Sequence, residues 1–380
     1  MRKMTLSVEN SANSEKGFSI LELLVSLVVF LIIISSIYGL MEIGRVNRNR
    51  SSRRSDILKN ARIAVHLIGR DALNAGHGYH RRGAVSPDGF LSSRFGLNPD
   101  LDTERDMITS IIVGDNLFVN DLAIDPLTRT DTVVFASRDI NFNTPPPAPG
   151  FIPTGEVIEL SDVDSPSPTV ARVYSTTANG AAAAAVNDLY LIESGTSQVA
   201  VMATAVSGTN TISIDQGDPL GLNQPMDGVG SNGSVLRKCL PPAGDPPVND
   251  ENCTSYIASL KKFTIVSYRV TQDGTLMRTV FGNGGILSTD QIVEQPLAYN
   301  VENLQITYVL DDGRVVTNPV AGFDQIPGTI DDDPAAVNQI RQITVSIRVQ
   351  STEADEQTLT PESIQLNATF STRNMEYDAS

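Results

Sequence analysis

FSILELLVSLVVFLIIISSIYGLM, from Phe18 to Met41, is the stretch on which the rest of the chain turns. It is apolar almost throughout and holds one charged residue, Glu22. As a helix it spans roughly 36 Å at about 1.5 Å per residue, enough for a hydrocarbon core of about 30 Å. A buried core helix is rarely so long or so evenly apolar, so the segment reads as a membrane span. A carboxylate at its head is costly in lipid and marks either a hydrated headgroup position or a function with a charged partner.

Outward on the N-terminal side lies MRKMTLSVENSANSEKG, polar, with Arg2, Lys3 and Lys16. A secretory signal has a short apolar core followed by a small-residue cleavage site. Here the polar leader ends at Lys16-Gly17 and the apolar run follows. Gly17-Phe18-Ser19-Ile20-Leu21-Glu22-Leu23 resembles the type IV prepilin processing site: glycine, then phenylalanine, then a glutamate four residues on, at the head of a long apolar helix. The resemblance implies cleavage between Gly17 and Phe18 by prepilin peptidase on the cytoplasmic side, with Lys16 flanking the site. It also implies N-methylation of the new Phe18 amine. That amine is cationic and must lose its water when apolar helices bundle. Glu22, one turn away, is the partner the resemblance assigns to it during filament assembly.

Charge along the chain opposes this orientation. Arg45, Arg48, Arg50, Arg53 and Arg54 follow the span. Positive-inside counting alone would put them in the cytoplasm. The cleavage motif must face the cytoplasm, and it takes precedence.

On the C-terminal side the helical period continues. Ile57, Ala61, Ala64, Val65, Ile68, Ala72 and Ala75 recur at three- and four-residue steps, with Lys59, Arg62, Arg70 and Asn74 off the stripe. Gly76 and Gly78 end the pattern. One helix from Phe18 to about Ala75 is thus expected, roughly 87 Å long, with Gly39 its weakest point. The stretch from Arg62 to Gly78 is similar to the helix end of PilW-type minor pilins and of J-type pseudopilins from type II secretion. His77 stands where those have an aromatic residue. Arg62, Arg70 and Asp71 read either as a solvated face or as a salt bridge to the head.

Beyond residue 76 the period switches to two. FTIVSYRV (Phe263–Val270), LQITYVL (Leu304–Leu310) and ITVSIRV (within the strand Ile343–Gln350) alternate β-branched or aromatic residues with polar ones. Weaker strand signals lie at 132–137, 155–160, 171–175, 188–193, 199–205, 211–214, 275–279 and 364–370. Gln272-Asp273-Gly274 and Asp311-Asp312-Gly313 read as hairpin turns. The order of the last strands resembles the C-terminal sheet of PilW-like proteins. The expected fold is α+β and pilin-like: a long N-terminal helix, half in the membrane and half amphipathic, laid on an antiparallel β-sheet head. Domain bounds follow as a removed leader 1–17, a membrane half 18–41, an amphipathic half 42–75 and a head 76–380. Proline clusters TPPPAPGFIP, SPSP and PPAGDPP mark 139–256 as an insertion in the head, with room for a small β-subdomain.

The chain has 380 residues and a net charge of −16, which argues against a nucleic-acid surface. Its two cysteines, Cys239 and Cys253, flank a proline-rich loop and read either as a disulfide in an oxidising compartment or as two free thiols, the exposed proline-rich setting favouring the bridge. His66, His77 and His80 lack metal-ligand spacing. Asp331-Asp332-Asp333, with Asp311 and Asp312, is the one group with calcium-like chemistry, and it reads better as a solvated acidic loop. No catalytic motif, cofactor or metal is expected. The resemblance implies a minor pilin at the inner membrane, head in the periplasm, later in the pilus. Its implied partners are prepilin peptidase, other minor pilins, the major pilin and the inner-membrane assembly platform. A J-type pseudopilin is the near alternative. A membrane-anchored periplasmic enzyme or receptor is the alternative of another class.

Overall fold

The computed structural model describes residues 19–79, 83–97, 106–123, 127–139, 142, 157–167, 170–175, 181, 183–194, 197–224, 238–239, 248–249, 259–282, 292–320, 334–354 and 360–372. One helix, α1 (Ile20–Asn74), runs unbroken for 55 residues, through Gly39. Its start is set locally. Ser19 is the N-cap and accepts from the Leu21 N–H at 3.2 Å, while Glu22 Oε2 accepts from the Ser19 N–H at 3.4 Å. Its end is set by Gly76 and Gly78, with φ of 76° and 63°. Among the described residues it is the one helix long and apolar enough to cross a membrane.

The head then alternates short and long strands. β1 (Ala84–Val85) precedes a short helix α2 (Phe90–Phe95), followed by β2 (Met107–Ile108), β3 (Ile111–Val119) and β4 (Arg129–Arg138). The middle supplies β5 (Val157–Ser167), β6 (Val170–Ser175), β7 (Leu189–Ser194), β8 (Ser197–Met202), β9 (Ala205–Ser207), β10 (Thr211–Ser213), β11 (Lys238–Cys239) and β12 (Val248–Asn249). The C-terminal part supplies β13 (Ser259–Val270), β14 (Leu276–Phe281), β15 (Ile292–Ala298), β16 (Val301–Leu310), β17 (Val315–Val316), β18 (Ile340–Ala354) and β19 (Pro361–Ser371). The fold is α+β: a long N-terminal helix against antiparallel sheets, the pilin-like arrangement.

Strand β13 is the hub of a 13-stranded sheet. Its first residues, Ser259–Lys261, lie between β5 and β7, and its later ones, Ile265–Tyr268, between β4 and β14. The middle of the chain is therefore hydrogen-bonded into the same sheet as the strands beside the helix. It keeps its own apolar cluster, with Tyr190, Ile192, Val199, Val201 and Leu260. Two ion pairs hold this junction. Lys261 meets Glu193, and Lys262 meets the fully buried Asp188 at 2.7 Å.

A second sheet orders β17-β16-β18-β19. Alternation decides its faces: Ile343, Val345, Ile347 and Val349 of β18 are buried, as are Leu304, Ile306, Tyr308 and Leu310 of β16. They share one core with Ile57, Ala61, Ala64, Val65, Ile68 and Ala72 of α1, with its C-cap Ala75, and with Val133, Val266 and Tyr268 of the large sheet. Every residue of the expected apolar stripe is buried. Helix α1 thus lies on both sheets and closes the core between them. The two expected hairpin turns carry Gly274 at φ 79° and Gly313 at φ 85°, the left-handed geometry that only glycine adopts without strain. Asp311 and Asp312 are engaged by Arg341 at 3.7 Å and Arg314 at 2.5 Å. Among the described residues no three His, Cys, Asp or Glu side chains gather as a metal site.

Candidate functional site: the two-part helix and its anchor

The first half of α1 is bare. Ile20 is 87% exposed, and the apolar residues from Leu21 to Ile43 have few contacts outside their own helix. The second half is docked. Glu22 belongs to the bare half, and its carboxylate folds back over the helix start to the amide of Ser19, the residue next to Phe18. A helix N-terminus favours negative charge, since its first amides carry no intrahelical partner. A carboxylate held there lies over the amides of the first turn. Lys16, Gly17 and Phe18 themselves lie outside the described residues. So do Cys253, the Cys239 side chain, His80 and Asp331 to Asp333. The backbone of Cys239 pairs with Val248.

The docked half is fixed at both ends. At the membrane-proximal end, Arg53 reaches Glu353 at 2.8 Å and the Ala354 carbonyl at 3.2 Å, and Arg54 pairs with Glu362. Two of the five arginines that trouble the charge rule thus bind the end of the β18–β19 hairpin. At the far end, Asp71 is buried on the helix face. Its Oδ2 accepts from the Tyr268 hydroxyl at 2.6 Å and from Arg278 Nε and Nη2 at 3.0 and 2.9 Å. Arg70 Nη2 adds 3.0 Å to Oδ1. Tyr268 and Arg278 face each other across β13 and β14.

Burial first, and the Asp71 carboxylate second, push the Tyr268 hydroxyl well above its ordinary range. Burial opposes the Arg278 charge, but Asp71 and Tyr268 outweigh it and hold its pKa above the ordinary value. Removing one partner of such a buried pair costs about 3–5 kcal/mol, because the other charge is left stranded. Of the residues named from sequence, Asp71 goes to this anchor. Arg62 remains exposed on the helix, and so does His66. Tyr268 and Arg278 were not singled out. The signal was a Tyr and an Arg on the inward side of two strands joined by a recognisable turn.

Residues 12–38 match the family described as the prokaryotic N-terminal methylation motif. The match covers the leader junction, Glu22 and most of the apolar half of α1. The chain therefore carries the processing and methylation signature of type IV pilins and pseudopilins, on a pilin-like α+β fold. That motif implies processing by prepilin peptidase and anchoring at the inner membrane, and it belongs to structural rather than catalytic proteins. No curated protein and no solved structure matches the chain.

Proposed function

We propose that this chain is a minor pilin of the PilW type, which waits in the inner membrane and then helps to start or cap a type IV pilus. On this reading residues 1–17 are a leader that prepilin peptidase removes. Residues 18–41 are the membrane half of the helix, 42–75 its amphipathic half, and 76–380 the periplasmic head, with Cys239 and Cys253 bridged. The observation that carries the reading is the methylation motif seated on a helix whose apolar first half is bare while its second half is docked on a β-rich head. A bare apolar rod suits lipid before assembly and neighbouring rods after it. The partners are other minor pilins, the major pilin and the inner-membrane assembly platform.

Glu22 neutralises the methylated Phe18 amine as rods bundle. Its position at the amide of Ser19, the residue next to Phe18, supports this. The test has two parts. Mass spectrometry of the N-terminus of membrane-extracted protein should read N-methyl-phenylalanine at Phe18; an intact Met1 would overturn the proposal. Glu22→Ala should still be cleaved but should be depleted at least about ten-fold from sheared filaments, the scale set by an unpaired buried charge. Wild-type protein found only in a periplasmic filament, and not in surface fibres, would assign it to type II secretion instead.

A further inference from the structure

The face of the large sheet turned away from α1 carries a cleft of 280 Å³. Alternation along β13 puts Val266, Tyr268 and Val270 into the helix core, so Ser267 and Arg269 point to the opposite face. There they meet Thr132 of β4 and Thr279 of β14, with Phe95 of α2 and Phe118 of β3 as walls. Phe281 completes the wall, edge-on to Phe95 at 5.2 Å between ring centres.

Three features of this cleft ask for a ligand. Thr132 is 1% exposed and Thr279 is 2% exposed, yet neither Oγ1 has a hydrogen-bond partner. Buried hydroxyls are nearly always bonded, because an unmade bond keeps its desolvation cost. The walls are aromatic and apolar, so the cleft sets a polar floor against a dry side. The charges at its rim cancel: Arg269 meets Glu294 at 3.2 Å, and both are part-exposed. Arg94 is committed to the carbonyls of Leu220 and Pro219. Arg94 keeps its charge, but its Nε and Nη2 are spent on two carbonyls, so the fork that would grip a phosphate or carboxylate is taken. A mixed floor of hydroxyls, an aromatic wall and a neutral donor–acceptor pair match a polyhydroxylated ring with one apolar C–H face. The volume, below the range of about 300–1,000 Å³ for drug-sized pockets, suits one ring rather than several.

We propose that this cleft binds a single ring of a neutral sugar, the Thr132 and Thr279 hydroxyls bonding to ring hydroxyls and Arg269 with Glu294 holding the outermost ones. The inference stands apart from the filament assignment, since it concerns the head alone. It is tested on the full chain in detergent, by saturation-transfer NMR and calorimetry. The probes are D-glucose, D-galactose, D-mannose and N-acetyl-D-glucosamine, each free and as its methyl glycoside, with inorganic phosphate as the control. Saturable binding of at least one sugar is expected in the roughly millimolar range that ligand efficiency allows a dozen heavy atoms. Retained binding of the methyl glycoside identifies a glycan end as the source; its loss identifies a free sugar.

The double variant Thr132→Val/Thr279→Val keeps side-chain shape and removes two unbonded hydroxyls, so it should fold as wild type and weaken binding at least about ten-fold. Glu294→Gln at the exposed rim gives an independent arm and should weaken it about three-fold or more. No saturable binding of any sugar, tighter binding of phosphate, or affinity unchanged in both variants would overturn the proposal.

Discussion

At the scale of single residues, Asp131 makes the stability of the head depend on pH. It sits on β4, between the two sheets. Its Oδ1 accepts from the Asn116 amide at 2.9 Å, and its Oδ2 accepts from the Ile306 amide of β16 at 2.6 Å. Burial pushes its pKa up to about 7, against the pull of those two amides, and the like charge of Asp115 adds to the rise. The unfolded chain titrates this group near its ordinary value of 3.8. Between those limits the folded protein holds a proton that the unfolded one lacks. Stability therefore falls as pH rises from about 4 to about 7 and levels off above, by an amount on the order of 4 kcal/mol. Asp131→Asn removes this contribution. Urea midpoints of the wild type and of Asp131→Asn, taken across that window, should differ by an amount that changes with pH. A pH-independent difference would contradict the assignment.

At the scale of elements, the contact between α1 and β19 depends on one absent side chain. A Cβ on Gly69 would lie 2.1 Å from the Phe370 ring, so the last strand's aromatic rests on the bare helix backbone. In an isolated helix Gly69→Ala gains about 1 kcal/mol of propensity. Here the added methyl displaces the ring, an overpacking cost of about 1–3 kcal/mol. The expected result is a change of sign: destabilising with Phe370 in place, stabilising in a Phe370→Ala background. A double-mutant cycle by thermal or urea unfolding reads it directly. Additive effects would mean that the ring and the helix are not in contact.

The same scale shows what the sequence could reveal. The stripe from Ile57 to Ala75 was legible because burial against the core imposes a period that each residue reports by itself. Strands β13, β16 and β18 were legible for the same reason. Strand β3 was not, because Gly114, Asp115 and Asn116 sit at an irregularity where the register against β4 shifts and the alternation is lost. Strand β15 was not, because it lies at a sheet edge, is exposed on most positions and contains Pro296. The start of β13 was hidden too: the alternation shows only from Phe263, and the partners of Lys261 and Lys262, Glu193 and Asp188, lie far off in the chain. Pairings across long sequence separations leave no local mark. The Asp71 anchor joins residues some 200 positions apart, and the cleft draws on β3, β4, β13, β14 and β15. Its threonines sit where alternation suggests an ordinary wet face.

At the scale of the whole molecule, the apolar surface is unevenly shared. The large exposed hydrophobic residues run almost continuously from Ile20 to Ile43, while others such as Leu127, Tyr299 and Val315 stand apart along the chain. From Ile20 to Met41 the helix is roughly 33 Å long, a match to a hydrocarbon core of about 30 Å. The first buried helix residue, Ile57, comes about 24 Å further on. The head's grip on the helix thus lies wholly beyond the part that needs lipid. A chain beginning at Glu42 keeps the buried stripe, the Arg53 and Arg54 contacts and the Asp71 anchor, and loses almost all of the exposed apolar band. It should run as a folded monomer in plain buffer, with its remaining helix visible by circular dichroism, whereas the full chain should need detergent. Isolated exposed hydrophobics are normal on soluble proteins, whereas a continuous band of them is not. Aggregation of the truncated chain, with its helix intact, would therefore mean that the head carries a second apolar contact surface of its own.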